Sequence, residues 1–108
     1  RNIPLAWQPA VTEWSVIEVY PAATLAAHRS LSSGYKKSGD ITERREIAQR
    51  FETILPDLSN LTTAKADIFD ACLCLLCAKD FLEGAARGPA EHQRAVAEKE
   101  GWIWVRST

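Results

Sequence analysis

Residues 64–84, AKADIFDACLCLLCAKDFLEG, set the terms on which this chain folds. Read as a helix, the segment is apolar around most of its circumference, and such a helix has to be enclosed by the rest of the chain. It is therefore expected as the central buried helix, capped by Thr62 or Thr63 and ended by Gly84 in the left-handed conformation. With 108 residues, 46% of them hydrophobic and 25% charged, the chain is long enough for one domain over 1–108 that buries roughly two-thirds of its unfolded surface. Its longest uncharged apolar run, 71–78, falls well short of the roughly 20 residues that a membrane span needs. The balance of 13 Lys and Arg against 14 Asp and Glu excludes the broad basic surface of a non-specific nucleic-acid binder, so any such contact is expected to be local.

Pattern and punctuation give the elements around that helix. Residues 1–12 read as a proline-broken extended lead. EWSVIEVY at 13–20 has the β-branched and aromatic content of a strand and is closed by Pro21. Its alternation places Trp14, Val16, Glu18 and Tyr20 on one face, expected to be substantially covered, with Glu18 as an unusual carboxylate within it. A short helix is expected over 22–29, followed by the polar loop SLSSGYKKSGD, whose composition predicts mobility unless a ligand holds it. Asp40-Ile-Thr-Glu43 reads as a capping box opening a helix over 40–56, in which Ile47, Phe51, Ile54 and Leu55 recur on one side before Pro56. Pro89 then opens a charged helix over 89–100, and WIWVR after Gly101 gives a strand over 102–106. The class is α+β and helix-rich, with about four helices and two to three strands; because a two-stranded ribbon is marginal in water, further strands or a second chain are expected to complete the sheet.

Several side chains carry potential chemistry. Asp67 and Asp70 stand three residues apart and share a helix face. Two readings stay open: favourable first-turn charges on the helix dipole, or, together with Glu18, a hard-cation site suited to Mg²⁺ or Mn²⁺. Tyr35, Lys36 and Lys37, with Arg29, Arg44 and Arg45, gather positive charge on and around the loop. That charge reads first as a solvated surface; the other reading, in which Lys36, Lys37, Arg44 and Arg45 hold phosphate groups, gains a little from the position of both arginines early in a helix, against the dipole. Cys72, Cys74 and Cys77 are odd in number and set among leucines, so they read as small core residues of a protein in a reducing, cytoplasmic compartment. His28 and His92 each stand alone and receive no ligand role. Trp102 and Trp104 alternate with Ile103 and Val105, which makes both faces of that strand apolar and one of them a contact surface.

The ordered succession IEVYPAATLAA, GYKK, a helix with an ERR start, DIFDACLCLLCAKDFLEG and EGWIWV, running over about 16–105, resembles the carboxy-terminal part of a family of predicted nucleases, domain-of-unknown-function family 429, with an RNase H-like fold. The resemblance implies that Glu18 matches the acid on the strand beside the catalytic strand, and that Asp70, with Asp67 as neighbour, matches the acid on the terminal helix. In that fold such acids hold divalent ions that activate water against a phosphodiester. Family members open with a strand bearing a G-x-D motif whose Asp is the central ligand, and nothing before Trp14 matches it. The chain therefore reads as a member lacking its amino-terminal half, and full catalytic power is not expected. The reading favours a non-catalytic, oligomeric interaction module, a homodimer or other assembly that covers the strands, with nucleic acid as a further partner. The alternative is a Mg²⁺- or Mn²⁺-dependent phosphodiesterase that uses Glu18, Asp67 and Asp70 and is completed by another chain.

Overall fold

The computed structural model describes residues 15–58 and 64–108. In chain order the elements are β1 (Glu18–Val19), α1 (Pro21–Ala27), α2 (Ile41–Arg50), α3 (Ala66–Leu82), β2 (Ala86–Arg87), a 3-10 turn (Glu91–Gln93), α4 (Arg94–Glu100) and β3 (Ile103–Arg106). β3 is the middle strand, parallel to β1 with Glu18 opposite Ile103 and antiparallel to β2 with Arg87 opposite Val105. α1 and α3 pack against β3. Alternation along β3 sends Trp104 inward, where it is 1% exposed and meets the Phe81 ring edge-on at 4.8 Å, and leaves Ile103 outside.

The local chemistry explains how α3 hands over to the sheet. No glycine or proline interrupts Ala66–Leu82. At its end Gly84 takes φ +74, the Ala85 N–H donates to the Asp80 carbonyl at 2.8 Å, and the Gly84 N–H donates to the Phe81 carbonyl at 3.1 Å. These paired bonds form a Schellman turn, which satisfies the last carbonyls and reverses the chain into β2. One cluster of buried side chains, including Leu25, Ile47, Phe51, Phe69, Leu73 and Leu76, joins the helices; a second, Phe81, Ala86 and Trp104, joins α3 to the sheet.

The two clusters meet at a buried carboxylate. Asp80, 2% exposed on the inner face of α3, accepts from His28 Nε2 at 2.8 Å and from Arg106 Nη1 at 2.9 Å. His28 caps the end of α1 and lies edge-on to Phe51, and the Arg50 guanidinium reaches its carbonyl. One side chain thus ties α1, α3 and β3 together, and a carboxylate in that position is tolerated because each oxygen has a partner.

Several expectations are corrected. α3 is not enclosed on all sides, since Ile68, Leu75 and Leu82 are 45%, 59% and 63% exposed. The face of β1 carrying Val16, Glu18 and Tyr20 is open rather than covered, and Ser15, Ile17 and Val19 are the half-buried set. Of the two to three strands expected, three are present, the third being Ala86–Arg87, a pair too short to show alternation. The helix expected over 40–56 ends at Arg50 and continues as tight turns in which the Leu55 N–H donates to the Phe51 carbonyl at 2.7 Å. No capping box opens it: the Asp40 carboxylate instead accepts from the Lys37 N–H at 3.0 Å. Pro89 lies ahead of the 3-10 turn rather than opening a helix. The lead at 1–12, Glu13, Trp14 and the expected caps Thr62 and Thr63 lie outside the described residues. No helix among the described residues is long and apolar enough to cross a membrane.

Replacing Asp80 by Asn leaves His28 and Arg106 without the charge that pairs them, and the expected loss is about 3 kcal/mol of unfolding free energy. Denaturant unfolding checks this; a loss within about 0.5 kcal/mol, the range of an ordinary surface substitution, would contradict it.

Candidate functional site

A surface cavity among the described residues lies where α1 begins. Pro21 supplies the first residue of α1, with φ preset for a helix, and Tyr20 precedes it in extended backbone, its side chain 49% exposed. The segment 32–37 passes beside this corner, turning at Gly34, whose φ of +71 is open to glycine at little cost. Between them is a cavity of about 290 Å³ lined by Tyr20, Ala22, Ser32, Ser33, Gly34, Tyr35, Lys36, Lys37 and Asp40.

Two anchors hold the loop from inside. Tyr35 is 1% exposed, lies edge-on to Phe69, and its hydroxyl donates to Asp70 Oδ1 on α3 at 3.0 Å. Burial first, then the hydrogen bond to the Asp70 carboxylate, push its ionisation well above the ordinary value of 10.0, so the hydroxyl stays protonated. Arg44, fully buried on α2, donates through Nη1 to the carbonyls of Tyr35 (2.8 Å) and Lys37 (2.7 Å) and through Nη2 to that of Ser38 (3.4 Å). The loop is therefore held by the protein's own guanidinium, where the composition led to an expectation of mobility without a ligand.

What remains outside is positive and aromatic. Lys36 Nζ lies 5.9 Å from the centroids of both the Tyr20 and Tyr35 rings, in the range of a cation–π contact. Lys36 and Lys37 are exposed and make no ion pair among the described residues. The Asp40 carboxylate, which also lines the cavity, is turned onto the Lys37 N–H. An anion at this surface would meet two ammonium groups, two serines and an exposed phenol ring, against the Asp40 carboxylate held on the Lys37 N–H.

The residues singled out from the sequence separate accordingly. Lys36 and Lys37 share the cavity wall. Arg44 is not available to an outside phosphate, because its guanidinium is spent on loop carbonyls; its place early in the helix serves that purpose. Arg45 is exposed on α2, and Arg29 is exposed with φ +59 just after α1. Asp70 is half-buried and bound to Tyr35, Asp67 is exposed one turn earlier, and Glu18 is exposed on β1. The Glu18 carboxylate lies close to Gly101, 2.5 Å from where a Cβ there would stand; being the end of a flexible side chain it could move aside, so what Gly101 is needed for is its φ of +93. Among the described residues no group of three or more His, Cys, Asp or Glu side chains converges in a way that could hold a metal ion.

Of the cysteines, Cys77 belongs to the interior and Cys72 and Cys74 are half-buried. Cys77 is 2% exposed and its thiol donates to Thr24 Oγ1 at 3.3 Å, while the Cys74 thiol reaches the Asp70 carbonyl at 3.6 Å. Burial raises the ionisation of both thiols, which disfavours the reactive thiolate. The residues that sequence reasoning missed are Asp80, His28 and Arg106; the signal was there in part, since Asp80 falls on the helical period of Phe69, Leu73, Leu76 and Cys77, a buried acid in need of partners.

The architecture defines an α+β protein in which α1 and α3 pack on a short mixed sheet. The chain belongs to the family described as "Protein of unknown function (DUF429)", whose model matches residues 4–94. Comparison with curated proteins and with solved structures returned no match.

Tyr35→Phe removes the bond to Asp70 and is expected to lower stability near neutral pH by about 1 to 2 kcal/mol. Because the folded state raises the ionisation of Tyr35, the stabilisation is complete below the unfolded value of 10.0 and drains away as pH rises above it, when the unfolded chain loses its proton first. Unfolding midpoints followed from pH about 8 to 11 should fall less steeply for Tyr35→Phe than for the wild type, and parallel curves would contradict the assignment.

Proposed function

We propose that this chain binds the backbone of a single-stranded nucleic acid at the 32–37 loop, as a non-catalytic module of RNase H-like ancestry. The observation that carries the reading is the Lys36 ammonium set beside two tyrosine rings at a cavity it shares with Lys37. Single-strand binders combine cationic groups that follow phosphates with aromatic rings on which bases stack, and Tyr20 offers an exposed ring beside the lysines. The near-neutral net charge of -1 suits a local contact rather than a broad electrostatic surface. The resemblance to predicted nucleases supports nucleic acid over other polyanions, and three unpaired thiols, one of them buried, accord with a reducing cytoplasm.

Metal-dependent phosphodiester cleavage through Glu18, Asp67 and Asp70, with Mg²⁺ or Mn²⁺, is the second reading. The exposed Asp67 one turn from Asp70, beside the loop's Tyr35 anchor, favours it. The described acids do not by themselves fit a divalent ion, so this reading needs ligands from another chain, and no catalytic step is derived from it.

Fluorescence anisotropy with a labelled single-stranded oligonucleotide tests the first reading. Two phosphate contacts give a log K against log salt slope of about -1.4, and Lys36→Ala or Lys37→Ala should reduce it by about 0.7 while weakening binding several-fold. Tyr20→Ala should weaken binding by about 1 to 3 kcal/mol through lost stacking. No binding at low salt, or binding indifferent to all three changes, would overturn it. A thermal melt with Mn²⁺ addresses the second reading: an upward shift that Asp70→Asn removes supports a cation site, and no shift removes it.

A further inference from the structure

The exposed side of α3 carries a pattern that neither the core nor the loop uses. Ile68, Leu75 and Leu82 recur every seven residues and are 45%, 59% and 63% exposed, while Phe69, Leu73, Leu76, Cys77 and Asp80 face inward. A seven-residue spacing keeps side chains in one stripe along a helix, and Ala71 and Ala78 fall at the intervening positions of the same stripe. The stripe runs the length of a helix of 17 residues, about 25 Å at the standard rise. Scattered apolar side chains on a surface need no explanation, but three in heptad register on one helix form a seam for another helix.

The ends of α3 say which helix. Lys65 stands at the amino-terminal cap and Glu83 at the carboxy-terminal cap, each opposed to the partial charge of its own helix end. Helical spacing puts both on the same flank of the stripe, and Leu75 lies midway between Ile68 and Leu82. A second α3 running antiparallel, related by a two-fold axis at Leu75, brings Ile68 against the partner's Leu82 and Lys65 against the partner's Glu83. Each misplaced charge then lies beside the helix end of favourable sign as well as beside its counter-ion. A parallel pair offers no such pairing, because the flank carrying Lys65 and Glu83 would lie on opposite sides of the seam in the two helices.

We propose that the Ile68–Leu75–Leu82 stripe is a self-association surface, and that its occupant is the α3 of a second copy in antiparallel register. This places association on the helix rather than on the strands, and it is independent of the loop site, which the stripe does not include. The exposed Glu83 is already paired with Lys79 at 2.7 Å, so its part is to choose register more than to supply affinity.

Sedimentation equilibrium of the whole chain up to about 200 µM tests the proposal, with circular dichroism to show that each variant is folded. The wild type should dimerise, and Leu75→Lys, a change at a side chain outside the core, should leave a folded monomer. Lys65→Glu and Glu83→Lys should each weaken the dimer about 5-fold, and the two together should restore it. A wild type that stays monomeric, a Leu75→Lys protein that still dimerises, or a double charge variant that is not restored would each overturn the proposal.

Discussion

A carboxylate buried between a helix and a sheet is costly unless its charge is met on the spot, and Asp80 is met from both sides. His28 arrives from the end of α1 and Arg106 from the end of β3, elements separated by most of the chain. Dispersion and apolar burial bring Phe81 and Trp104 together, but such contacts tolerate sliding. The Asp80 pairings have directions and lengths, so they fix where α1 and β3 stand on α3. Once α1 is set, Tyr20 and the start of the helix are placed, and with them one wall of the cavity beside the loop.

The loop divides its polar groups by depth. Arg44 and Tyr35 are turned inward, where the guanidinium satisfies main-chain carbonyls and the phenol reaches Asp70. With the backbone held from inside, Lys36 and Lys37 are left to face solvent without needing to serve the fold. Ordering the loop in advance lowers the entropy that a ligand would otherwise have to supply on binding. Asp70, which the family resemblance marks as a catalytic acid, serves in this arrangement as the floor to which the loop is fastened.

Much of the fold was legible because it depends on local signals. The apolar run at 64–84 gave α3, Gly84 gave its end, and Pro21 marked the break between β1 and α1. What escaped was set by contacts distant in sequence. β2 is only Ala86–Arg87, and it is a strand because the turn after α3 lays it beside β3, not because two residues carry a pattern. His28 looked solitary since its partner lies 52 positions away. Arg44 was read as a surface donor because a charge count cannot tell an arginine that faces solvent from one folded under a loop. Composition also overstated the enclosure of α3, since a helix can be apolar all round while its outer stripe is still uncovered. Of the candidate site, Lys36 and Lys37 were legible as a basic pair, whereas the Tyr20 ring beside them came from the chain's reversal at α1.

The claim that the 32–37 loop is a nucleic-acid contact is tested most directly by two-dimensional NMR of the isotope-labelled chain titrated with a short single-stranded oligonucleotide. Shifts are expected at first only at Tyr20, Ala22 and residues 32–37 and 40, the lining of the cavity, growing in step with occupancy. An unchanged spectrum, or shifts centred on the open face of the sheet or on α4 with the loop silent, would contradict it.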